Sequence, residues 1–398
     1  MFYRRGVDLD YGVIDADNHY YEALDAFTRH LDPRHGERVI QWCEVNGRKY
    51  HVVGGRVNHG VVNPTFDPVS LPGAMADYFR GNPDGRNPLE FLREREPIRP
   101  AYRDRDARIA TMDEQGVEQV WLYPTLGMLY EEELKNDPEA VTLMFTAFNR
   151  WVEEDWGYGY QNRIWAAPYL SLCDVDWAIT ELERALDKGA RSIVMRAAAP
   201  TTRDGQIPAS DDAFDPFWAR LQEADIPVVV HAGDAGLTAT AGYSGGAFSS
   251  SFKGAGRPRI TQLTMERSIH DFLASMVFDQ LFDRFPRLRV VSVENGAQFL
   301  PGLLKGITSA SKKMPGYWKT DPVEQFKDRV WINPFWEDDV HEVLDVMGPE
   351  RVVFGSDWPH IEGMPSPLDY LVELKEVDPA VQRRIVRDNA LELMQPQG

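Results

Sequence analysis

The run Val13-Ile14-Asp15-Ala16-Asp17-Asn18-His19-Tyr20-Tyr21-Glu22 decides how the rest of the chain is read. Two apolar residues pass at once into acids, an amide and a histidine. A buried strand ending near Ile14 delivers Asp17 and His19 just beyond its carboxyl end. Residues two apart on an extended chain point the same way, so both face one cavity. A carboxylate and an imidazole there suit a divalent metal ion. A plainer explanation also exists: Asp15 and Asp17 cap the next helix, and His19 packs under a loop with Tyr20 and Tyr21. An isolated Asp-x-His arises often by chance, so the decision falls to the later strand ends.

Short apolar runs recur along the chain at 11–15, 119–123, 164–169, 192–196, 226–230, 288–293, 330–332 and 352–354. Buried parallel strands have this continuous apolar character. Helical patterns alternate with them at 103–116, 137–156, 175–188, 215–224, 265–283, from 296 onward and at 338–347, with closing helices at 366–377 and 377–395. Eight strands in such alternation predict an α/β protein of the (β/α)8 TIM-barrel type, forming one domain over residues 11–395. No GxGxxG follows the first strand, which argues against a dinucleotide fold. Residues 20–100 fit no barrel unit. A short helix is expected from Tyr21 to His30, and a hairpin around Asn46-Gly47. The segment is too long for an ordinary loop and is expected to be an elaborated insertion, over the barrel mouth or at a subunit interface. Residues 233–265, rich in Gly, Ser and Ala, are expected to form a second long upper loop.

Composition narrows the partners. The 398 residues carry 62 acids against 43 Lys plus Arg, a net charge of -19. That charge opposes binding to a nucleic-acid backbone or an anionic membrane surface. Cys43 and Cys173 form neither a CxxC pair nor a disulfide framework. The first ten residues hold no apolar signal region and no run is long enough to span a bilayer, so a cytoplasmic location is expected. The 11 Trp, 15 Tyr and 19 Phe can fill a core and also line a pocket for a flat or apolar small molecule.

Five residues follow predicted strands: Asp17 and His19 after the first, His231 after the fifth, Glu294 after the sixth and Asp357 after the eighth. In a barrel these ends converge on one mouth. Asp17, His19, His231 and Asp357 form a candidate mononuclear site for one divalent ion, with Zn expected first and Mn or Fe as alternatives. Asp357 and Glu294 are the candidate catalytic acids or bases. Glu294 is open to three roles: a further ligand, a general base, or a salt-bridge partner for Arg196. Arg196 in the mouth suits a substrate carboxylate through two parallel hydrogen bonds. Tyr123, Asn333, Trp336, Trp358 and His360 complete the candidate substrate-binding set; Trp358 could equally be core, and His360 could support the site or simply cover the mouth.

Four motifs carry a resemblance: Asp15-Ala16-Asp17-Asn18-His19, Val230-His231-Ala232-Gly233, Phe285-Pro286-Arg287-Leu288-Arg289-Val290 and Phe354-Gly355-Ser356-Asp357-Trp358-Pro359-His360. Across Val13 to Ala390 the chain resembles the amidohydrolase superfamily. The nearest branch includes aminocarboxymuconate-semialdehyde decarboxylase and the resorcylate and dihydroxybenzoate decarboxylases. The resemblance places the family's paired metal ligands on Asp17 and His19, its strand-five ligand on His231 and its strand-eight aspartate on Asp357. It also implies a homodimer. Two departures stand out: Asp17 occupies a position where many relatives carry His or Glu, and Glu294 stands where the decarboxylases often carry a catalytic histidine. Two reactions follow. One is metal-dependent hydrolysis of a carbonyl-containing small molecule, with Asp357 taking the proton from an activated water. The alternative is non-oxidative decarboxylation of an aromatic or unsaturated acid. A third reading, a binding protein on a retired barrel, is hard to reconcile with four convergent ligand-type residues.

Overall fold

The computed structural model describes residues 9–61, 63–236 and 264–395. Most of the second expected upper loop, residues 237–263, lies outside them. Seven parallel strands carry the scaffold: β1 (Val13–His19), β2 (Val117–Tyr123), β3 (Ile164–Ala166), β4 (Ile193–Arg196), β5 (Val228–His231), β6 (Val290–Val293) and β7 (Val330–Ile332). They form two arcs, one in the order β1-β2-β3 and one in the order β7-β6-β5-β4. Isolated bridges continue the hydrogen bonding past each arc. Tyr169 pairs with Val194 beyond β3, and Ile332 pairs with Val352 beyond β7. From there the Ala16 N–H donates to the Phe354 carbonyl at 2.9 Å.

The expected eighth strand is therefore a bridge rather than a ladder, and the cause is visible. The Phe354 N–H donates to the Ile385 carbonyl at 3.0 Å. Ile385 lies in a π-helical turn, Arg384–Asp388, of the closing helix. The Asn389 side chain donates to the Val352 carbonyl at 2.7 Å. The final helix thus takes backbone partners that a neighbouring strand would otherwise supply.

Side-chain alternation sorts the core. Val228 and Val230 pack with Phe217, Trp218 and Leu221 of the surrounding helices. Val229 faces the other way, with Val194, Val291 and Val353. Period-two geometry then puts His231 and Arg196 on that same inner face. The helices start and stop where their chemistry dictates. Asp104 caps helix Arg105–Gln115 by accepting from the Ala107 N–H at 2.7 Å. Gly116 ends it at φ +75, a conformation that costs glycine little. Asp137 caps Pro138–Asp155, and Asp174 caps Val175–Asp187.

The short helix expected at Tyr21–His30 does not form; the residues make turns. Their side chains are drawn in divergent directions. Tyr20 stacks on Trp156, Tyr21 packs against Phe66, and Glu22 reaches the N–H groups of Thr125, Leu126 and Gly127. A helical turn cannot serve all three. The hairpin does form, from Ile40–Val45 and Arg48–Val53, with Asn46 and Gly47 both at positive φ. Further along, the N–H groups of Gly73 and Met75 donate to the carbonyls of His360 and Ile361 at 2.9 Å each. The closing region begins with a 3-10 turn, Pro367–Val372, in place of the helix expected over 366–377. Among the described residues no helix is long and apolar enough to cross a membrane.

His51, in the hairpin, generates a pH prediction. It is buried against Trp42 and its Nδ1 lies 2.7 Å from the Tyr130 hydroxyl. Burial pushes its pKa from 6.5 down to about 3. Between those values the unfolded chain binds the extra proton. The neutral ring's contribution is therefore full above about pH 6.5 and is lost as the pH falls toward 3, at ~1.4 kcal/mol per pH unit. Urea unfolding at stepped pH is expected to show this slope, and His51→Gln is expected to flatten it.

Candidate metal centre

The strand ends bring Asp17, His19, His231, Glu294, Asp357 and His360 together. β1 is locally irregular: its register against β2 shifts between Asp15 and Asn18. Such bulges re-aim side chains near functional sites. His19 then pairs in register with Tyr123, and His231 with Arg196.

The two histidines are fixed by their outer nitrogens. His19 Nδ1 lies 3.1 Å from the Pro124 carbonyl, and His231 Nδ1 lies 2.8 Å from the Ala232 carbonyl. A carbonyl only accepts, so each Nδ1 carries the hydrogen. Both Nε2 atoms are left as lone pairs, and they face each other at 3.2 Å. Asp17 Oδ1 stands 3.3 Å from one and 3.5 Å from the other. It is buried and accepts no hydrogen bond among the described residues. Three electron-rich atoms converge without a hydrogen between them. This is the arrangement of a cation cage whose ligands are oriented from behind. Burial pushes Asp17 toward protonation, but the adjacent His19 and His231 rings outweigh it and hold the carboxyl well below its usual range. Burial, then the neighbouring His360, brings His19 down to about 3. A neutral imidazole is the metal-binding form.

Two more carboxylates flank the cage. Asp357 Oδ1 is 3.5 Å from His19 Nε2, and Glu294 Oε2 is 3.4 Å from His231 Nε2. Burial raises both well above the carboxylate range; Glu362 and Asp17 add to it at Asp357, and Asp357 and Asp17 at Glu294. Both residues hold left-handed backbone, φ +54 at Asp357 and +56 at Glu294. That conformation costs a side-chain-bearing residue on the order of 1–3 kcal/mol and concentrates at functional sites. Asn333 holds Glu294 in it by accepting the Glu294 N–H at 3.2 Å. His360 Nδ1 is 2.6 Å from Asp357 Oδ1, and its ring lies 4.0 Å from that of His19.

The other candidate residues divide. Tyr123 packs against the rings of His19 and His231, and its buried hydroxyl has no partner among the described residues. Arg196 does not stand free in the mouth as expected. Its Nη1 donates to Glu132 at 2.7 Å and to the Asp234 carbonyl at 2.6 Å, and its Nε lies 3.3 Å from Glu131. Nε, though beside Glu131, and Nη2 make no hydrogen bond among the described residues. Nor does Arg196 pair with Glu294. Asn333 is committed to backbone, as its amide also donates to the Pro334 and Val353 carbonyls. Trp358 is buried between Tyr102 and Arg108, so its faces are already taken. Trp336 is covered by Arg80, with Nε1 donating to the Glu362 carbonyl at 3.3 Å.

Sequence reasoning passed over the residues that hold the cage in shape. Asp15 accepts from the Ser356 N–H at 2.9 Å, the Ser356 hydroxyl at 2.6 Å and the Asn18 amide at 2.8 Å. Arg108 is fully buried; it donates to the His19 carbonyl at 2.7 Å and to Asn18 Oδ1. The signal available for Asp15 was its period-two spacing from Asp17. Arg108 gave none beyond its place on a helix.

This geometry can be set beside known proteins. The amidohydrolase family model matches residues 14–394. The chain belongs to the amidohydrolase family. An amidohydrolase of known structure from Mycobacterium avium subsp. paratuberculosis K-10 is 43% identical to it, with a TM-score of 0.90 over 98% of this chain and 99% of that one. The dihydroxybenzoic acid decarboxylase of Polaromonas sp. JS666, solved with manganese and the inhibitor 2-nitroresorcinol, shares the fold. It has 17% identity and a TM-score of 0.59 over 81% of this chain and 93% of that one. The 2-amino-3-carboxymuconate-6-semialdehyde decarboxylase of Dictyostelium discoideum is 27% identical over 129 residues, 31% of this chain and 35% of that relative. The match thus spans about a third of that curated protein's length.

Gly355 tests the cage without removing a ligand. A Cβ there collides with Asp17 Cβ and comes within 2.8 Å of the Asn333 amide. Gly355→Ala is expected to displace Asp17 and weaken divalent-ion binding at least tenfold, and His231→Ala to abolish it. Equilibrium dialysis followed by elemental analysis checks both, with circular dichroism reporting the retained fold.

Proposed function

We propose that this amidohydrolase is a metal-dependent carboxy-lyase, a non-oxidative decarboxylase of an aromatic or unsaturated carboxylic acid, built on a (β/α)8 barrel. The observation that carries metal dependence is the set of three unpartnered donor atoms on Asp17, His19 and His231. The decarboxylase names of the manganese-bound fold relative and of the Dictyostelium relative support the choice of reaction. Hydrogen bonds that run past each strand arc support the barrel, and those from Gly73 and Met75 support an insertion resting over its mouth.

A divalent ion held by Asp17, His19 and His231, with Asp357 beside it, would supply Lewis acidity to a substrate oxygen; Zn, Mn and Fe all suit these donors. The chain's own residues do the rest. Arg196 Nη2, next to His231 in register, is available to a substrate carboxylate. Tyr123 offers an unpaired hydroxyl and a ring edge beside the two imidazoles. Decarboxylation needs a proton delivered to carbon as CO2 departs. Glu294 fits that task, because burial and the charges of Asp357 and Asp17 raise its carboxyl's hold on a proton well above the ordinary range. A carboxylic acid kept neutral by its surroundings can donate at neutral pH. It would thereby take the place of the histidine that the family resemblance often puts at this position.

One observation favours hydrolysis as the second reading. The same Glu294 and Asp357, once ionised, form a pair of bases on one side of the cage. Parallel assays separate the two. The manganese-loaded protein is incubated with hydroxylated benzoates and unsaturated dicarboxylates while CO2 is measured, and with esters, lactones and amides while acid release is measured. CO2 from the first panel is expected. Glu294→Gln is expected to lower kcat by about 10²–10⁴ with bound metal unchanged. Acid release from the second panel without CO2 would replace this reading by hydrolysis.

A further inference from the structure

We propose that Tyr169 and Ser171 are positioning residues for carboxylate recognition: they hold Glu131 back from the Arg196 guanidinium, so that the Nε–Nη2 edge of that arginine stays open to the substrate's carboxylate. The inference deepens the reading above and rests on its assignment of Arg196 to a substrate carboxylate.

Arg196 is buried, and one side of its guanidinium is filled. Nη1 donates to Glu132 Oε2 at 2.7 Å and to the Asp234 carbonyl at 2.6 Å. From the other side the Nε hydrogen and one Nη2 hydrogen point together, the fork that grips a carboxylate through two parallel bonds. Both nitrogens are buried, and neither makes a hydrogen bond among the described residues. Burial opposes the arginine's charge, but Glu131, Tyr169 and Glu132 outweigh it and the pKa lies above the ordinary value. The edge is thus a charged pair of donors with no acceptor, an arrangement that is costly until a ligand supplies one.

Glu131 is the neighbour that would close this edge, and its hydrogen bonds go elsewhere. Its carboxylate is buried, with Oε2 at 3.3 Å from Arg196 Nε. The Tyr169 hydroxyl donates to that same Oε2, and the Ser171 hydroxyl donates to Oε1 at 2.7 Å. Neither hydroxyl is free to turn away. Ser171 has a single hydrogen to give, and its oxygen accepts the Cys173 N–H at 3.2 Å. Tyr169 exchanges two backbone hydrogen bonds with the Asn149 side chain at 2.9 Å each, and its ring stacks on Phe145 with centroids 4.0 Å apart. Burial, then the charge of Glu131, raises the Tyr169 pKa well above the ordinary value, so the hydroxyl remains a donor.

Glu131 therefore balances the charge of Arg196 without capping its donors. Removing the Tyr169 hydroxyl releases Oε2 to close on Nε and Nη2. An internal arginine–carboxylate pair then fills the fork, and an incoming carboxylate has to displace it. A ligand without a carboxylate makes no use of the fork and is indifferent to the change. Selectivity for the carboxylate, rather than affinity in general, is the property that these two hydroxyls control.

Titration calorimetry on the manganese-loaded protein tests this, with hydroxylated benzoates and with the phenols that lack the carboxylate as probes. Tyr169→Phe is expected to weaken benzoate binding at least tenfold, about the loss of one charge-assisted hydrogen bond, and to leave phenol binding within about twofold. Adding Glu131→Gln to Tyr169→Phe is expected to restore benzoate binding, because the competing charge is gone. Circular dichroism and bound manganese report the fold and the cage. Should Tyr169→Phe fail to fold, Ser171→Ala, which frees the other oxygen of Glu131, carries the same expectation. Arg196→Gln separates the two levels of the argument. If it weakens benzoates while Tyr169→Phe does not, or if Tyr169→Phe weakens both probes alike or is not rescued by Glu131→Gln, the proposal is overturned and the role of Arg196 stands. If Arg196→Gln leaves benzoate binding unchanged, or the parent shows no preference for benzoates over phenols, both are overturned.

Discussion

The Asp15 carboxylate is the contact on which the site depends. It is buried completely, yet it joins two parts of the chain more than three hundred residues apart, receiving hydrogen bonds from Asn18 on the first strand and from Ser356 after the last. Burial drives such a group toward neutrality and pushes Asp15 up to about 7. Removing water without supplying these donors would carry a large desolvation cost. The link fixes the distance between Asp17, on one side of Asp15, and Asp357, just past Ser356. Arg108 braces the same strand from beneath, held between Trp358 and Trp156. A buried charge of this kind contributes little to net stability and much to a defined geometry.

The order of events in the site follows from that geometry. The backbone presets the histidines by taking their Nδ1 hydrogens. Their Nε2 lone pairs then have no internal partner. Asp17, pointing the same way as His19, completes the set. The outer carboxyls of Glu294 and Asp357 are pressed against this group with left-handed backbone. Strain and crowded carboxyl groups are thus concentrated on one side of the cage. The surrounding hydrogen bonds, of Asn333 to Glu294 and of Ser356 and Asp357 to β1, keep that side from relaxing.

How much of this could be read from sequence depends on the range of the forces involved. His231 was legible because a polar ring directly after four apolar residues has few structural uses. Asp17 and His19 were legible through a period of two. The middle strands, β4 to β7, were legible because burial on both faces demands unbroken apolar runs. What stayed hidden depends on partners distant in sequence. The last strand reads like the others, but its N–H and carbonyl groups go to Ile385 and Asn389. Tyr21–His30 has a helix-compatible composition, but Tyr20, Tyr21 and Glu22 are claimed by three separate neighbours. Arg196 was expected to meet substrate; the acids at Glu131 and Glu132, on a different element, take most of its guanidinium. Trp358 was expected at the pocket wall, and Arg108 covers it instead.

The backbone hydrogen bonds from Gly73 and Met75 to His360 and Ile361 change how the mouth behaves toward whatever enters it. A loop standing alone surrenders conformational freedom when it closes on a ligand, and that loss weakens the interaction. Here the segment from His360 to Met364 is braced by Gly73 and Met75 on one side and by Ser356 on the other. Its ordering entropy is settled during folding, before any ligand arrives. Residues 73–75 therefore bear on affinity without contributing a donor atom.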